Sequence, residues 1–385
     1  MKFITHTRAA VVAGLLALAT AAAGTAALTV GPATAGTGIP HRAASLRNSL
    51  LFGVAATSAR NAWAVGQAHS SGKSIILHWN GTAWTRVPSP TAPGGTGLYA
   101  VAATSARNAW AVGNSGAEPG KTEILHWNGT TWTHVPSPTP KGGGALFGVA
   151  AVSSRNAWAV GCAGNCFQGF GNGLRTLILH WNGTTWSRVP SPSPGLGSAL
   201  SSVAATSARN AWAVGCTAFC FLSSVSPHTV ILHWNGTAWT RMPSPAAARV
   251  GALNGVVATS ASNAWAVGCT GHCFGPMATT TTMIVHWNGT AWRLVASPNP
   301  APNSVLTAVA ATSASNAWAV GYTRTGFKTL IAHWNGARWT RVPSPTPGPL
   351  SQLLGVGATS ARSAWAVGAD EKGAILQHWN GKTWK

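Results

Sequence analysis

The sequence predicts an all-β fold, a seven-bladed β-propeller of four-stranded antiparallel blades. The first observation is a repeat whose leading leucines stand at Leu51, Leu98, Leu146, Leu200, Leu253, Leu306 and Leu353. Intervals of 47 to 54 residues between them suit a propeller blade. The second is that all 21 tryptophans fall three to a copy, as Trp63, Trp79 and Trp84 do in the first. The third is composition: 45 Gly and 23 Pro with only 8% charged residues suits turn-rich β structure better than helices.

Each copy reads L-x-x-V-A-A-T-S-A-R-N-A-W-A-V-G, a variable loop, then I-L-H-W-N-G-T-A-W-T-R-V-P-S-P. In the first copy, strands are expected over residues 51–56, 62–66, 75–79 and 83–87. Small residues in the first suit the crowded centre of a propeller. A Ser-Ala-Arg-Asn turn leads into the second, and Asn80-Gly81 joins the third to the fourth. Asn-Gly between apolar runs predicts a two-residue hairpin with both residues at positive φ. That turn would set Trp79 opposite Thr82, His78 opposite Ala83 and Leu77 opposite Trp84. Trp79 and Trp84 then share one blade face, with His78 and Val87 on the other.

Residues 1–35 are expected to be a signal peptide. Lys2, His6 and Arg8 open a basic start, an apolar run follows, and Ala33-Thr34-Ala35 supplies the small residues of a cleavage site. A retained membrane anchor is the alternative, because the apolar run is long enough to span. The mature chain then has no transmembrane span. Residues 36–50 form an N-terminal closing segment ahead of the propeller at 51–385. The seventh repeat runs to Trp384-Lys385, so residues 37–40 are expected to complete its outer strand.

The A-W-A-V-G strand followed by the W-N-G-x-x-W hairpin resembles secreted bacterial propellers related to BNR/Asp-box repeats. It is also similar to photosystem II stability and assembly-factor repeats, and more distantly to kelch repeats. The resemblance covers all seven units and implies the architecture. The acidic residue of the Asp-box hairpin is missing, with Asn80 and its equivalents at the turn. No sialidase carboxylate or arginine triad therefore carries over.

Repeated His-Trp pairs (His78, His126, His180, His233, His286, His333 and His378) occupy one position in seven blades, so they are expected to be structural rather than metal ligands. Five Asn-Gly-Thr sequons are accounted for by the turn. Arginines such as Arg60, Arg107 and Arg209, or Arg86, Arg188 and Arg241, are read as solvated edges that also discourage edge-to-edge pairing. Three Cys-x-x-x-Cys pairs, Cys162/Cys166, Cys216/Cys220 and Cys269/Cys273, follow the second strand of the three longest blades. In an exported protein these predict disulfides within each loop. A thiolate metal site, with His272 as a further ligand, is the alternative.

Twenty-five Lys and Arg against four acids (Glu118, Glu123, Asp370, Glu371) give a charge of +21. Such a balance suits anionic partners, or simply keeps a Trp-rich surface soluble. Paired-carboxylate hydrolysis and a Ser-His-Asp triad both lack residues. The inner strands carry no charged residue. The expectation is therefore a secreted, monomeric, non-catalytic binding or scaffold protein that needs no cofactor. An anionic glycan or cell-wall polymer is favoured as partner over nucleic acid. The alternatives are a carbohydrate-active hydrolase or lyase, the latter using a histidine or Tyr322, and a purely structural cell-surface protein. The loops after the second and fourth strands carry the variation, so binding is expected there. Its candidate residues are Phe167, Phe170, Arg175, Phe219, Phe221, His228, His272 and Phe274.

Overall fold

A computed structural model describes residues 46–69, 71–90, 92, 94–167, 173–195, 197–217, 227–271, 273 and 280–385. It is a seven-bladed propeller: six sheets have four strands and the last has three, each meandering outward in chain order. In the first blade these are β1 (Ser49–Ser58), β2 (Asn61–Ala68), β3 (Ser74–Trp79) and β4 (Trp84–Val87). The β1 equivalents of neighbouring blades pack on one another all round the ring, so they line the axis. The first and third turns of each blade lie on one face, hereafter the turn face. The longer connections lie on the opposite, variable face.

The innermost strands are longer than expected, and each contains a bulge. Leu51 pairs with Gly66 and Gly53 with Val65, leaving Phe52 without a partner. The same slip leaves Tyr99, Phe147, Ser201, Asn254, Thr307 and Leu354 as bulge residues in the other blades. The glycine that ends W-A-V-G makes the close approach possible. A Cβ on Gly66 would lie 1.8 Å from the Leu50 carbonyl oxygen, and the other six equivalents meet the same obstacle at 1.8–2.0 Å.

The outer hairpin differs from the two-residue turn expected. Trp79 pairs with Trp84, His78 with Thr85 and Leu77 with Arg86, so residues 80–83 form a four-residue loop. Only Gly81 has positive φ, at 100°. Asn80 instead closes the loop with its side chain, Oδ1 accepting from the Thr82 and Ala83 amides and the Thr82 hydroxyl at 2.8–3.0 Å. The register has moved by two residues, an even number. Trp79 and Trp84 thus keep their common face, and so do His78 and Val87.

Seven apolar clusters fill the gaps between successive blades, and an eighth crosses the axis at the variable face. The β2 tryptophan leads each interface. Trp63 is fully buried, with its ring centroid 4.8 Å from Trp127 and 5.1 Å from Trp132 of the next blade. His78 of its own blade lies 4.3 Å away on Trp63. Trp365 meets Trp79 and Trp84 of the first blade at 4.8 and 5.0 Å, closing the circle by the same contact.

The seventh blade ends in a short outer segment, where Lys385 and His378 exchange backbone hydrogen bonds of 3.0 and 2.9 Å. Residues 1–35 and the proposed closing residues 37–40 lie outside the described residues. Nearer the propeller, buried Leu46 packs in the interface of the first and seventh blades, and Arg47 bridges Gly373. Among the described residues no helix is long and apolar enough to cross a membrane.

The Gly66 contact gives a direct test. Gly66→Ala must push two strands apart and should cost roughly 3 kcal/mol, an overpacking penalty. Gly173→Ala, where a Cβ meets nothing within 4 Å, should be near neutral. Equal denaturation midpoints for the two variants would refute the assignment.

Candidate functional site

The repeated histidines are held inside their own blades. Asn61 Nδ2 donates to Thr57 Oγ1 at 2.7 Å, leaving Oδ1 to accept from His78 Nε2 at 2.8 Å. That arrangement fixes the neutral tautomer with its proton on Nε2. The second, fourth, fifth and sixth blades repeat it through Asn108, Asn210, Asn263 and Asn316. In the seventh, Ser363 replaces the asparagine and stands 3.4 Å from His378 Nε2. In the third, Val152 replaces the threonine, and both Asn156 Oδ1 and His180 Nε2 are buried without partners. Burial lowers the pKa of all seven imidazoles. The motif T-S-x-x-N…H-W is thus a polar clamp of the fold.

The acids are largely withdrawn from the surface. Glu123 takes the place of Ile75 at a blade interface and is only 2% exposed. Burial pushes its carboxyl upward, opposed by a hydrogen bond from Ser115 and by His134, whose Nε2 lies 3.6 Å from Oε1. Asp370 is also buried, its Oδ1 accepting from the amides of Lys372 and Gly373 at 2.8 and 3.1 Å. Tyr322 is 1% exposed and burial raises its phenol well above the ordinary range, so it is poorly placed to act as a base.

At the variable end of the axis, a shared apolar cluster joins Phe52, Tyr99, Phe167, Tyr322 and the cysteines Cys162, Cys166, Cys216, Cys269 and Cys273. Cys162–Cys166 and Cys269–Cys273 are disulfides within their loops. Cys216 is buried and disulfide-bonded, and its expected partner Cys220 lies outside the described residues. Phe167, a candidate contact, is covered rather than exposed. It is 9% exposed, with its ring 6.4 Å from Tyr99 and 6.2 Å from Phe147. Phe170, Phe219, Phe221, His272 and Phe274 lie outside the described residues. Arg175 is exposed at the start of its strand, and His228 is exposed in the fourth blade.

His228 lines a groove of about 400 Å³ with Arg241 and Arg249. In the fourth blade Ala247 stands where the second, third, fifth and sixth blades carry the second proline of an S-P-x-P linker. The Ala246–Ala248 turn instead folds back, Thr229 N donating to the Arg249 carbonyl at 2.9 Å and Thr229 Oγ1 to the Ala248 carbonyl at 2.9 Å. This brings three basic side chains to one opening, where an anionic group would be bound by charge-assisted hydrogen bonds. Arg249 escaped the reading of the sequence, although the departure S-P-A-A-A-R marks its blade as different. Arg241 was read only as a solvated edge.

The fold and groove define a seven-bladed β-propeller with a basic groove on its fourth blade. No family model and no curated protein sequence matches the chain. Among solved structures it is similar to YCF48 bound to a D1 peptide, at 15% identity and TM-score 0.55. That match covers 89% of this chain and 94% of that one. YCF48 from Cyanidioschyzon merolae matches at 15% identity and TM-score 0.54, covering 88% and 97%. A fucose-specific lectin from Aleuria aurantia matches at 11% identity and TM-score 0.48, covering 88% and 96%. These likenesses concern the fold.

Two outcomes follow from the clamp. Val152→Thr supplies the missing acceptor for Asn156 and should stabilise the protein by about 1 kcal/mol. An unchanged or lower melting temperature would count against the clamp. For pH, the lowered histidine values mean that below about 6.5 the unfolded chain binds more protons. Stability should be full above that pH and fall as pH drops through the lowered values. Glu123, with its raised value, acts in the opposite sense but is one group against seven. A melting temperature that rises between pH 7 and 5.5 would contradict this.

Proposed function

We propose that this chain is a secreted, non-catalytic binding or scaffold protein whose ligand is an anionic glycan or cell-envelope polymer. The observation that carries the reading is the fourth-blade groove, where His228, Arg241 and Arg249 meet. A carboxylate or phosphate on a sugar is the kind of group that accepts bidentately from such guanidinium forks. The overall charge of +21 favours the same ligands, since two of the four acids are buried. Both buried acids hold structural positions, which argues for binding over hydrolysis. That a propeller of this fold serves binding is in keeping with YCF48, which is seen holding a D1 peptide.

The test uses the secreted protein and isolated acidic cell-wall polymer in a sedimentation assay. The double variant Arg241→Ser, Arg249→Ser should bind at least ~10-fold more weakly, because it removes two charge-assisted contacts. Binding equal to the parent, with the fold intact by circular dichroism, would remove the groove from consideration.

A further inference from the structure

The turn face carries a second feature that the groove does not explain. In five consecutive blades, the seventh and the first to fourth, the turn from first to second strand holds an arginine. These are Arg362, Arg60, Arg107, Arg155 and Arg209, and all are exposed. In the fifth and sixth blades Ser262 and Ser315 take the place. The face carries no acid to pair with them: Glu118, Glu123, Asp370 and Glu371 all belong to the opposite ends of their blades.

These side chains are not loose. Each arginine stem lies across the glycine of its blade's outer turn. A Cβ on Gly81 would come within 3.0 Å of Arg60 Cγ, and on Gly129 within 3.2 Å of Arg107 Cβ and Cγ. Gly183, Gly236 and Gly381 meet Arg155, Arg209 and Arg362 in the same way, at 3.1–3.4 Å. The W-N-G glycine therefore leaves room for the side chain of the other turn, as it does for Ser262 and Ser315, whose Cβ atoms would lie 3.0 and 3.1 Å from a Cβ on Gly289 and Gly336.

An indole is tied to the backbone of each arginine turn. The β3-type tryptophan donates its Nε1 to the carbonyl of the residue just before the arginine, Trp127 to Ala106 and Trp234 to Ala208 at 3.0 Å. Trp127, Trp181, Trp234 and Trp379 are half-buried, whereas Trp79 of the first blade is buried. An arginine turn beside a half-buried tryptophan therefore recurs in four of the five blades.

We infer that the five-arginine arc of the turn face is a multivalent cradle for an acidic polysaccharide. It would take a carboxylate at each guanidinium, with sugar rings resting on the half-buried indoles of Trp127, Trp181, Trp234 and Trp379. The inference rests on the proposed function for ligand class but not for location. Repetition is the essential property. Each contact alone is weak and solvated, whereas a polymer spanning several of them gains through effective concentration. A free monosaccharide acid gains nothing of the kind.

The probe is polygalacturonate, with galacturonate and long-chain polyphosphate for comparison, measured by calorimetry on the full secreted protein. The variant replaces Arg60, Arg107, Arg155, Arg209 and Arg362 with Ser, the residue that the fold already carries at positions 262 and 315. It should retain the parent's melting temperature, fall more than ~10-fold in polymer affinity and show a flatter salt dependence. The reciprocal variant Ser262→Arg, Ser315→Arg should bind the polymer more tightly. Polyphosphate, which has no ring to stack, should bind more weakly than polygalacturonate.

Three results would overturn the inference. One is unchanged polymer affinity in the folded five-serine variant. Another is a galacturonate affinity equal to that of the polymer, and the third is polyphosphate binding as tightly as polygalacturonate. Loss of binding in the groove variant alone would leave the groove reading in place and remove the cradle. Loss in the five-serine variant alone would do the reverse.

Discussion

Everything in this propeller depends on one repeated contact, the β2 tryptophan driven between its own blade and the next. Trp63 has the His78 imidazole on one side and the Trp127 and Trp132 indoles of the second blade on the other. Aromatic pairs of this kind contribute about 0.5–1.5 kcal/mol beyond the area they bury. The contact recurs at every interface, including that between the last blade and the first. The ring is thereby closed by side chains that meet, and the blades keep their simple order from axis to rim. The indole N–H groups of the β2- and β4-type tryptophans have no oxygen partner. Those of the β3 type all donate to the first turn. One set of tryptophans fills space, and another ties the two turns of a blade together.

Around this wedge the polar residues of the repeat have assigned structural duties. Threonine, asparagine and histidine form a clamp that positions the imidazole against the indole. The third blade shows what the clamp is worth by lacking one member. With Val152 in place of threonine, two buried polar atoms are left unpaired rather than one. The histidines therefore belong to the fold, and a search for chemistry must look at residues that vary between blades.

Those residues divide between two faces with different chemistry. The variable face holds the disulfides, the aromatic cluster over the axis and the fourth-blade groove. The cystines sit in the same apolar cluster as Phe52 and Tyr99, so they brace the end of the axis as well as their own loops. The bulge residues facing the axis are themselves divided. Leu354, Phe52, Tyr99 and Phe147 make an apolar half, while Asn254 and Thr307 bond to backbone carbonyls of the next blade. The turn face is cationic over five of its seven blades and free of acids. Its arginines are held over glycines that a hairpin argument alone assigned to the turn.

The fold was legible from sequence because periodicity reports it directly: seven copies that each cannot bury their faces alone must stack. Strand positions, the sharing of faces and the two described disulfides followed from the same pattern. The hairpin register did not, because an Asn-Gly pair reads as a two-residue turn unless the asparagine side chain is known to close a wider loop. The bulges were hidden too, since an unpaired residue leaves no mark on an alternating pattern. The W-A-V-G glycine was visible, but its reason, a carbonyl 1.8 Å from where a Cβ would be, is a tertiary distance. Whether Phe167 is exposed or covers its own loop was open from sequence, and packing against Tyr99 and Phe147 decided that it is covered. The groove required Arg241 and Arg249 to meet His228 across two connections. Sequence by itself determined the ring, because repetition and apolar spacing are local properties. Which cations come together was decided by the tertiary structure, because turns and bulges aim side chains through geometry that the residue order does not display.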